Sequence, residues 1–266
     1  MFKKLNEIVE IAKSKTTQRI VVAAAGDDDV LEEFFQCRDT IIHILEMAEI
    51  PLGIRAVIVL KFVEELQDKI DFDEMVAINQ IREKYDQRTY INELMNALST
   101  DKGNEVIKHR DVYEYFKTYR DLEHINEEDP LGLNKVLRTY WRSEADRDLY
   151  LNKHQAFNHY YKENMVKFKK ILVYFIFRYF MKSFFDYDMS SKIKVALMST
   201  IMIKELAVVR WIENGEFSDV DMVDISYRYS RDIEHLEKNI ETLERIFETE
   251  EVYGVDQMIN TLMNES

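Results

Sequence analysis

The chain has 266 residues with a formal net charge of −14, and it contains only 2 prolines, 6 glycines and 1 cysteine. So few turn-forming residues argue against a β-rich fold of this length, and a single cysteine excludes an internal disulfide and a cysteine-rich metal cluster. The average field of such a surface repels nucleic acid and favours basic partners.

Taken in chain order, the sequence predicts an all-α protein, an irregular multi-helix array or bundle with at most one short N-terminal strand. Residues 2–14 are predicted to form an amphipathic helix, and RIVVAAA at 19–25 is the strand candidate. Beyond that strand only helical periodicity is present. We therefore expect a short leader, 1–30, followed by a helical domain, 31–266, with a possible internal break near 126–134.

Two segments, 171–185 and 195–212, are the most apolar parts of the chain. Charged residues interrupt both, and neither reaches the roughly 20 apolar residues that a membrane-spanning helix needs. We therefore interpret both as core helices. The N-terminus has charges every few residues and lacks the apolar stretch of a signal peptide. A cytoplasmic protein that does not bind membranes is the expectation.

The sequence pattern after Ser218 predicts one long helix. It begins at a capping box formed by Ser218 and Asp221, in which Asp replaces the usual Glu. Apolar residues with alternating spacings of three and four then mark a single buried stripe. The stripe consists of Ile233, Leu236, Ile240, Leu243 and Phe247.

Four segments resemble one known family. They are CRDTIIHILEMAEIPLGIRAVIVLKFVEEL at 37–66, HYYKENMVKFKKILVYFIFRYFMKSFF at 159–185, KIKVALMSTIMIKELAVVRWI at 192–212 and ISYRYSRDIEHLEKNIETLERIF at 225–247. In this order they are similar to the helical C-terminal part of flagellin lysine-N-methylases, over about residues 32–250. Separately, residues 3–34 resemble the opening of phosphate butyryltransferases and phosphate acetyltransferases, whose activity is not expected here.

The methylase resemblance implies transfer of a methyl group from S-adenosylmethionine to lysine side chains of flagellin. It also implies an iron–sulfur or similar centre in a cysteine-rich part, which a chain whose one cysteine is Cys37 does not contain. We therefore expect no cofactor and no metal in this chain, and no methyl transfer by the chain alone. The favoured function is a substrate-engaging helical region whose partner is flagellin or another lysine-rich protein. The alternative is a non-catalytic α-helical protein-interaction module.

One polar cluster lies inside the last of the family-like segments, and it is the candidate substrate-binding site. Tyrosine faces and carboxylates together can hold a lysine ammonium, by cation–π contact and by charge. A network of hydrogen bonds between packed helices would use the same residue types. No residue is assigned a catalytic role. The cluster consists of Tyr227, Tyr229, Arg231, Glu234 and His235.

Two Asp-x-x-His pairs support a third, weaker reading as a di-iron carboxylate protein. Asp121 with His124, and Asp232 with His235, each have the three-residue spacing that places both side chains on one helix face. Such a site also needs further carboxylates at matching depth, so solvated helix faces remain the simpler interpretation.

Two arginines, Arg178 and Arg210, lie inside apolar helices. An arginine buried among apolar side chains requires a carboxylate partner, because an unpaired charge is costly to remove from water. Glu205 and Glu234 are the candidate partners.

Overall fold

The computed structural model describes residues 28–99, 105–124, 132–143 and 146–263. These ranges contain helices and no strand, so the predicted all-α class is confirmed. The predicted helix at 2–14 and the strand candidate at 19–25 lie outside the described residues. In chain order the helices are α1 (Asp28–Glu46), α2 (Leu52–Asp71), α3 (Ile78–Asp86), α4 (Arg88–Ser99), α5 (Glu105–Arg120), α6 (Leu133–Tyr140), α7 (Asp146–Tyr160), α8 (Val166–Tyr179), α9 (Ser183–Asp186), α10 (Met189–Asn214), α11 (Asp219–Tyr229), α12 (Glu237–Thr249) and α13 (Val255–Met263).

Helix α10 is the central element, and it packs against α8, α2, α12 and α11. Its start is capped by Asp188, whose carboxylate accepts the backbone N–H of Ser191 at 2.9 Å. Its end is set by Gly215, which adopts the left-handed conformation (φ +72°) that glycine reaches without steric cost. Nearly every residue from Met189 to Val209 is buried, as expected for a helix enclosed on all sides.

The two most apolar segments are core helices, as predicted. Residues 171–185 run through α8, a short 3₁₀ turn and α9, while residues 195–212 lie within α10. Both contribute most of their apolar side chains to the buried core. No helix in the described parts of the chain is long and apolar enough to cross a membrane.

The possible internal break near 126–134 falls largely on residues 125–131, which lie outside the described ranges. Helices from both sides of it contribute to one buried apolar cluster that extends from Leu31 to Met263. Helix α5, which precedes the break, packs against the C-terminal α13. The hydroxyls of Tyr115 and Thr261 lie 3.3 Å apart at this contact.

The predicted long helix after Ser218 is interrupted, and in this respect the prediction was wrong. Helix α11 ends at Tyr229, a π-helical turn follows at Ser230–Glu234, and Leu236 has an extended backbone before α12 begins. The π turn is closed by a hydrogen bond from His235 N to Ser230 O of 3.1 Å. Because one residue is added to the turn, the side chains after it are rotated relative to those of α11.

A buried amide secures this interruption. Asn239 donates from Nδ2 to the carbonyl of Asp232, inside the π turn, at 3.1 Å. The same group donates to the carbonyl of Glu123 at 2.8 Å, and Oδ1 accepts the N–H of Glu123 at 3.0 Å. One side chain thus satisfies backbone groups from two distant segments, which a buried polar residue must do to be tolerated.

Candidate functional site

The π turn divides the predicted substrate cluster into surface and core residues. Tyr227 is 62% exposed on α11, whereas Tyr229 is completely buried. The hydroxyl of Tyr229 lies 2.8 Å from Ser199 Oγ and 3.2 Å from the Tyr119 hydroxyl. Tyr229 is therefore part of the core and is not available to a ligand. π turns of this kind occur frequently at functional sites.

The residues on the C-terminal side of the turn have a different environment. Arg231 is partly exposed, and its Nε lies 3.4 Å from the carboxylate of the buried Asp232. Glu234 is buried, and His235 is exposed beside it. Of the five predicted residues, only Glu234 and His235 line a common cavity.

The carboxylate of Glu234 is the most unusual group of the site. Its Oε1 accepts hydrogen bonds from the hydroxyls of Tyr179, at 3.1 Å, and Tyr174, at 3.4 Å. Its Oε2 is buried with no hydrogen-bond partner among the described residues. Burial, and then the negative charge of Glu234, raise the pKa of both tyrosines, so both hydroxyls stay protonated as donors.

Glu234 lies in a cavity of about 370 Å³ that we call the acidic pocket. Helix α8, the turn after it, α9, α10, the π turn and α12 form its walls. Five carboxylates and three cationic side chains line it together with an aromatic ring, an imidazole and one apolar side chain. The lining residues are Arg178, Tyr179, Lys182, Asp186, Lys192, Glu234, His235, Glu237, Ile240, Glu241 and Glu244.

One wall of the acidic pocket already holds an ammonium group. Lys192 is buried, and its Nζ lies 2.7 Å from Asp186, 3.1 Å from Glu244 and 3.5 Å from Asp188. Burial by itself lowers the pKa of Lys192, but the hydrogen bond to Asp186 and the charges of Glu244 and Asp188 outweigh it. The net shift is upward, so the side chain stays charged.

Both arginines of the apolar helices have carboxylate partners, as expected. The Nε of Arg178 lies 3.9 Å from Glu234 Oε1, a distance that allows an ion pair but is too long for a hydrogen bond. Arg210 pairs with Asp221 at 3.2 Å and Asp224 at 3.0 Å, rather than with either candidate partner.

Glu205 instead belongs to a second buried polar group. It accepts hydrogen bonds from the Tyr150 hydroxyl at 2.7 Å, while its other oxygen lies 2.8 Å from His154 Nε2. All three side chains are buried, and none of them lines the acidic pocket. The group joins α7 to α10 and has the character of a structural network.

The two Asp-x-x-His pairs do not form a common site. His124 points its Nε2 at the carbonyl of Tyr119, 2.8 Å away, while Asp121 is exposed. In the other pair, Asp232 is buried and His235 is exposed. Within the described ranges, no group of three or more His, Cys, Asp or Glu side chains is placed to hold a metal ion.

Comparison with known proteins gives one match. A family model described as the FliB lysine N-methylase C-terminal domain matches residues 38–261. The chain belongs to this family. The resemblance expected over about residues 32–250 is thereby confirmed, and every lining residue of the acidic pocket falls inside the match. No curated protein and no solved structure matches the chain. The resemblance of residues 3–34 to phosphate acyltransferases stays a prediction.

Sequence reasoning missed most of the pocket of this lysine N-methylase C-terminal domain. One signal was available, because Glu237, Glu241 and Glu244 have the spacing that places carboxylates on one face of α12. The contributions of Tyr179 and Asp186 had no local signal. They depend on the contact of α8 with the π turn, through Tyr179 and Glu234, and on the contact of Asp186 with Lys192 of α10.

Proposed function

We propose that this domain is the substrate-engaging helical region of a flagellin lysine-N-methylase-like protein, and that its acidic pocket binds a lysine side chain of flagellin or another lysine-rich protein. The observation that carries the proposal is the buried carboxylate of Glu234, whose Oε2 has no partner among the described residues. A buried charged oxygen without a donor costs free energy, and a ligand that supplies the donor recovers it.

A lysine ammonium supplies the donor that Glu234 Oε2 lacks among the described residues. It brings a positive charge and three donors, while Glu234 offers a free acceptor and the rim offers the exposed carboxylates of Glu237 and Glu241. The environment of Lys192 in the same wall illustrates how carboxylates hold an ammonium in this protein. The net charge of −14 attracts basic partners to the surface as a whole.

The methylase resemblance implies an iron–sulfur or similar centre and S-adenosylmethionine, and the donor groups of the chain decide whether the first of these fits. An iron–sulfur cluster needs four thiolate ligands or a close equivalent, and Cys37 is the one cysteine of the chain. That thiol is buried, and burial raises its pKa to about 12, so it stays protonated at neutral pH. An iron–sulfur centre does not fit this chain. S-adenosylmethionine remains an expectation from the family, and we assign no catalytic residue.

Binding and catalysis are therefore separable in this proposal. The chain alone is expected to bind lysine-rich protein without transferring a methyl group. A non-catalytic interaction module would bind in the same way, and the two are distinguished by whether binding delivers the bound lysine to a methylating partner. The di-iron alternative has no support among the described residues, since their histidines and carboxylates do not converge.

Replacement of Glu234 by Gln tests the pocket. The variant retains an oxygen that can accept from Tyr179 but loses the charge, and hydrogen bonds to charged groups contribute about 1.5–3 kcal/mol. We expect flagellin binding to weaken by about tenfold or more, since about 1.4 kcal/mol corresponds to a factor of ten. Biolayer interferometry on purified flagellin measures the change.

Glu83→Gln is the matched control, because it removes one exposed carboxylate from α3, outside the acidic pocket. Glu83→Gln should leave the affinity for flagellin nearly unchanged. Flagellin with acetylated lysines should bind neither variant. Equal binding by wild type, Glu234→Gln and Glu83→Gln would refute the pocket as the binding site.

A further inference from the structure

Arg178 is the one cationic side chain for which the structure records an ion pair with Glu234 among the described residues. It does not make the contact that arginine normally makes with a carboxylate. A well-formed pair has one or two N–H···O bonds of about 2.7–2.9 Å, whereas Nε of Arg178 lies 3.9 Å from Oε1. The guanidinium does not reach the unpartnered Oε2.

The environment of Arg178 makes it easy to displace. Its side chain is 42% exposed, while that of Glu234 is 3% exposed. Partly exposed ion pairs with imperfect geometry contribute little to stability. The contact thus joins a fixed, buried acceptor on the π turn to a side chain that has room to move into solvent.

We propose that Arg178 is a displaceable counterion that partly neutralises Glu234 when the pocket has no ligand. This inference rests on the proposed function and adds its regulation: the guanidinium beside Oε1 and a lysine ammonium at Oε2 compete for the charge of Glu234, and the ammonium displaces the guanidinium toward solvent. The resident charge protects the buried carboxylate from non-specific cations.

The proposal predicts that removing Arg178 strengthens binding. In Arg178→Gln the incoming ammonium no longer competes with an internal cation, and affinity for a lysine-containing peptide should rise by up to about fivefold, the upper end of the range for a partly exposed ion pair. The probe is a short peptide with a single lysine, and its acetyl-lysine counterpart is the neutral control. Protein-observed NMR titration gives the dissociation constants and shows that each variant is folded.

Lys182→Gln is the matched control. Lys182 lines the same pocket and carries the same charge, but its Nζ lies over the Tyr179 ring, 5.2 Å from the centroid. If competition at Glu234 is the cause, Arg178→Gln raises the affinity more than Lys182→Gln does. The gain in affinity also disappears in the Arg178→Gln/Glu234→Gln double variant, because the carboxylate charge for which the two cations compete is absent.

Each remaining outcome overturns the inference. Equal gains in Arg178→Gln and Lys182→Gln would mean that only the average charge of the pocket matters. Unchanged or weaker binding by Arg178→Gln, when the wild type binds, would refute the counterion role and leave the proposed function standing. If neither the wild type nor Arg178→Gln binds the lysine peptide, the proposed function fails together with this inference.

Discussion

At the scale of single residues, Tyr229 and Glu234 show how closely a core residue and a candidate ligand can lie in the sequence. Tyr229 is enclosed and hydrogen-bonded on the side facing α10, through Ser199. Five residues later, Glu234 is also buried, but one of its oxygens has no hydrogen-bond partner in the described part of the chain. A buried charge of this kind is a cost to folding, and such costs are typical of functional sites.

Tyr229→Phe tests the assignment of this residue to the core. The variant removes the hydroxyl that contacts Ser199 and Tyr119, and one buried hydrogen bond contributes about 1 kcal/mol. Thermal unfolding should show a Tm lower by about 2–4 °C, with flagellin binding unchanged. Tyr227→Phe, which removes the hydroxyl of an exposed side chain, should change neither the Tm nor flagellin binding. Lost binding at unchanged Tm in Tyr229→Phe would instead place Tyr229 on the binding surface.

At the scale of elements, the sequence predicts where the helix after Ser218 begins, but it does not predict the interruption at the π turn. The capping box is confirmed: Ser218 Oγ accepts from the N–H of Asp221, and the Asp221 carboxylate accepts the N–H of Ser218 at 2.9 Å. The apolar stripe is confirmed as buried or half-buried at all its positions. The π turn nevertheless separates its first residue, Ile233, from those on α12.

Ser218→Ala should destabilise the protein by about 1 kcal/mol at pH 7, as loss of an N-cap does. Hydrogen bonds from the Ser218 side chain and backbone lower the pKa of Asp221, so its stabilisation is present above the unfolded pKa of about 3.9 and is lost as pH falls through the lower folded value. The difference in Tm from wild type should therefore narrow below about pH 4. Ser226→Ala, inside α11, is the control. A pH-independent difference would show that the Asp221 half of the box contributes nothing.

At the scale of the whole molecule, the net charge of −14 acts on any basic partner before the acidic pocket does. Salt shortens the range of this attraction, from about 10 Å at 0.1 M to about 3 Å at 1 M. The buried contact at Glu234 is screened much less. The two contributions can therefore be separated by ionic strength.

Flagellin binding should weaken severalfold between 0.1 M and 1 M salt while a measurable component persists. In Glu234→Gln the persistent component should be lost, because only the screened surface attraction remains. Dissociation constants for both proteins across a salt series check this. Binding that does not depend on salt in either protein would indicate apolar contacts instead.

Much of the fold was predictable because its causes are local. The scarcity of Gly and Pro and the 3.6-residue periodicity determine that the described chain is helical, and interrupting charges identify 171–185 and 195–212 as core helices. The capping box at Ser218 is read from residues three positions apart. Family membership was likewise carried by segments of continuous sequence.

The candidate site was decided by tertiary structure. Periodicity runs through Ile233 and Ile240 alike, so it cannot reveal a π turn that is held by the amide of Asn239 and its contact with the distant Glu123. That turn buries Glu234 beneath Tyr179, a residue 55 positions earlier in the chain. The sequence by itself determined which residues can form helices and which carry charge. Only the packing of distant helices decided that Glu234 would be buried with one oxygen that has no donor among the described residues, because that depends on partners that no local pattern specifies.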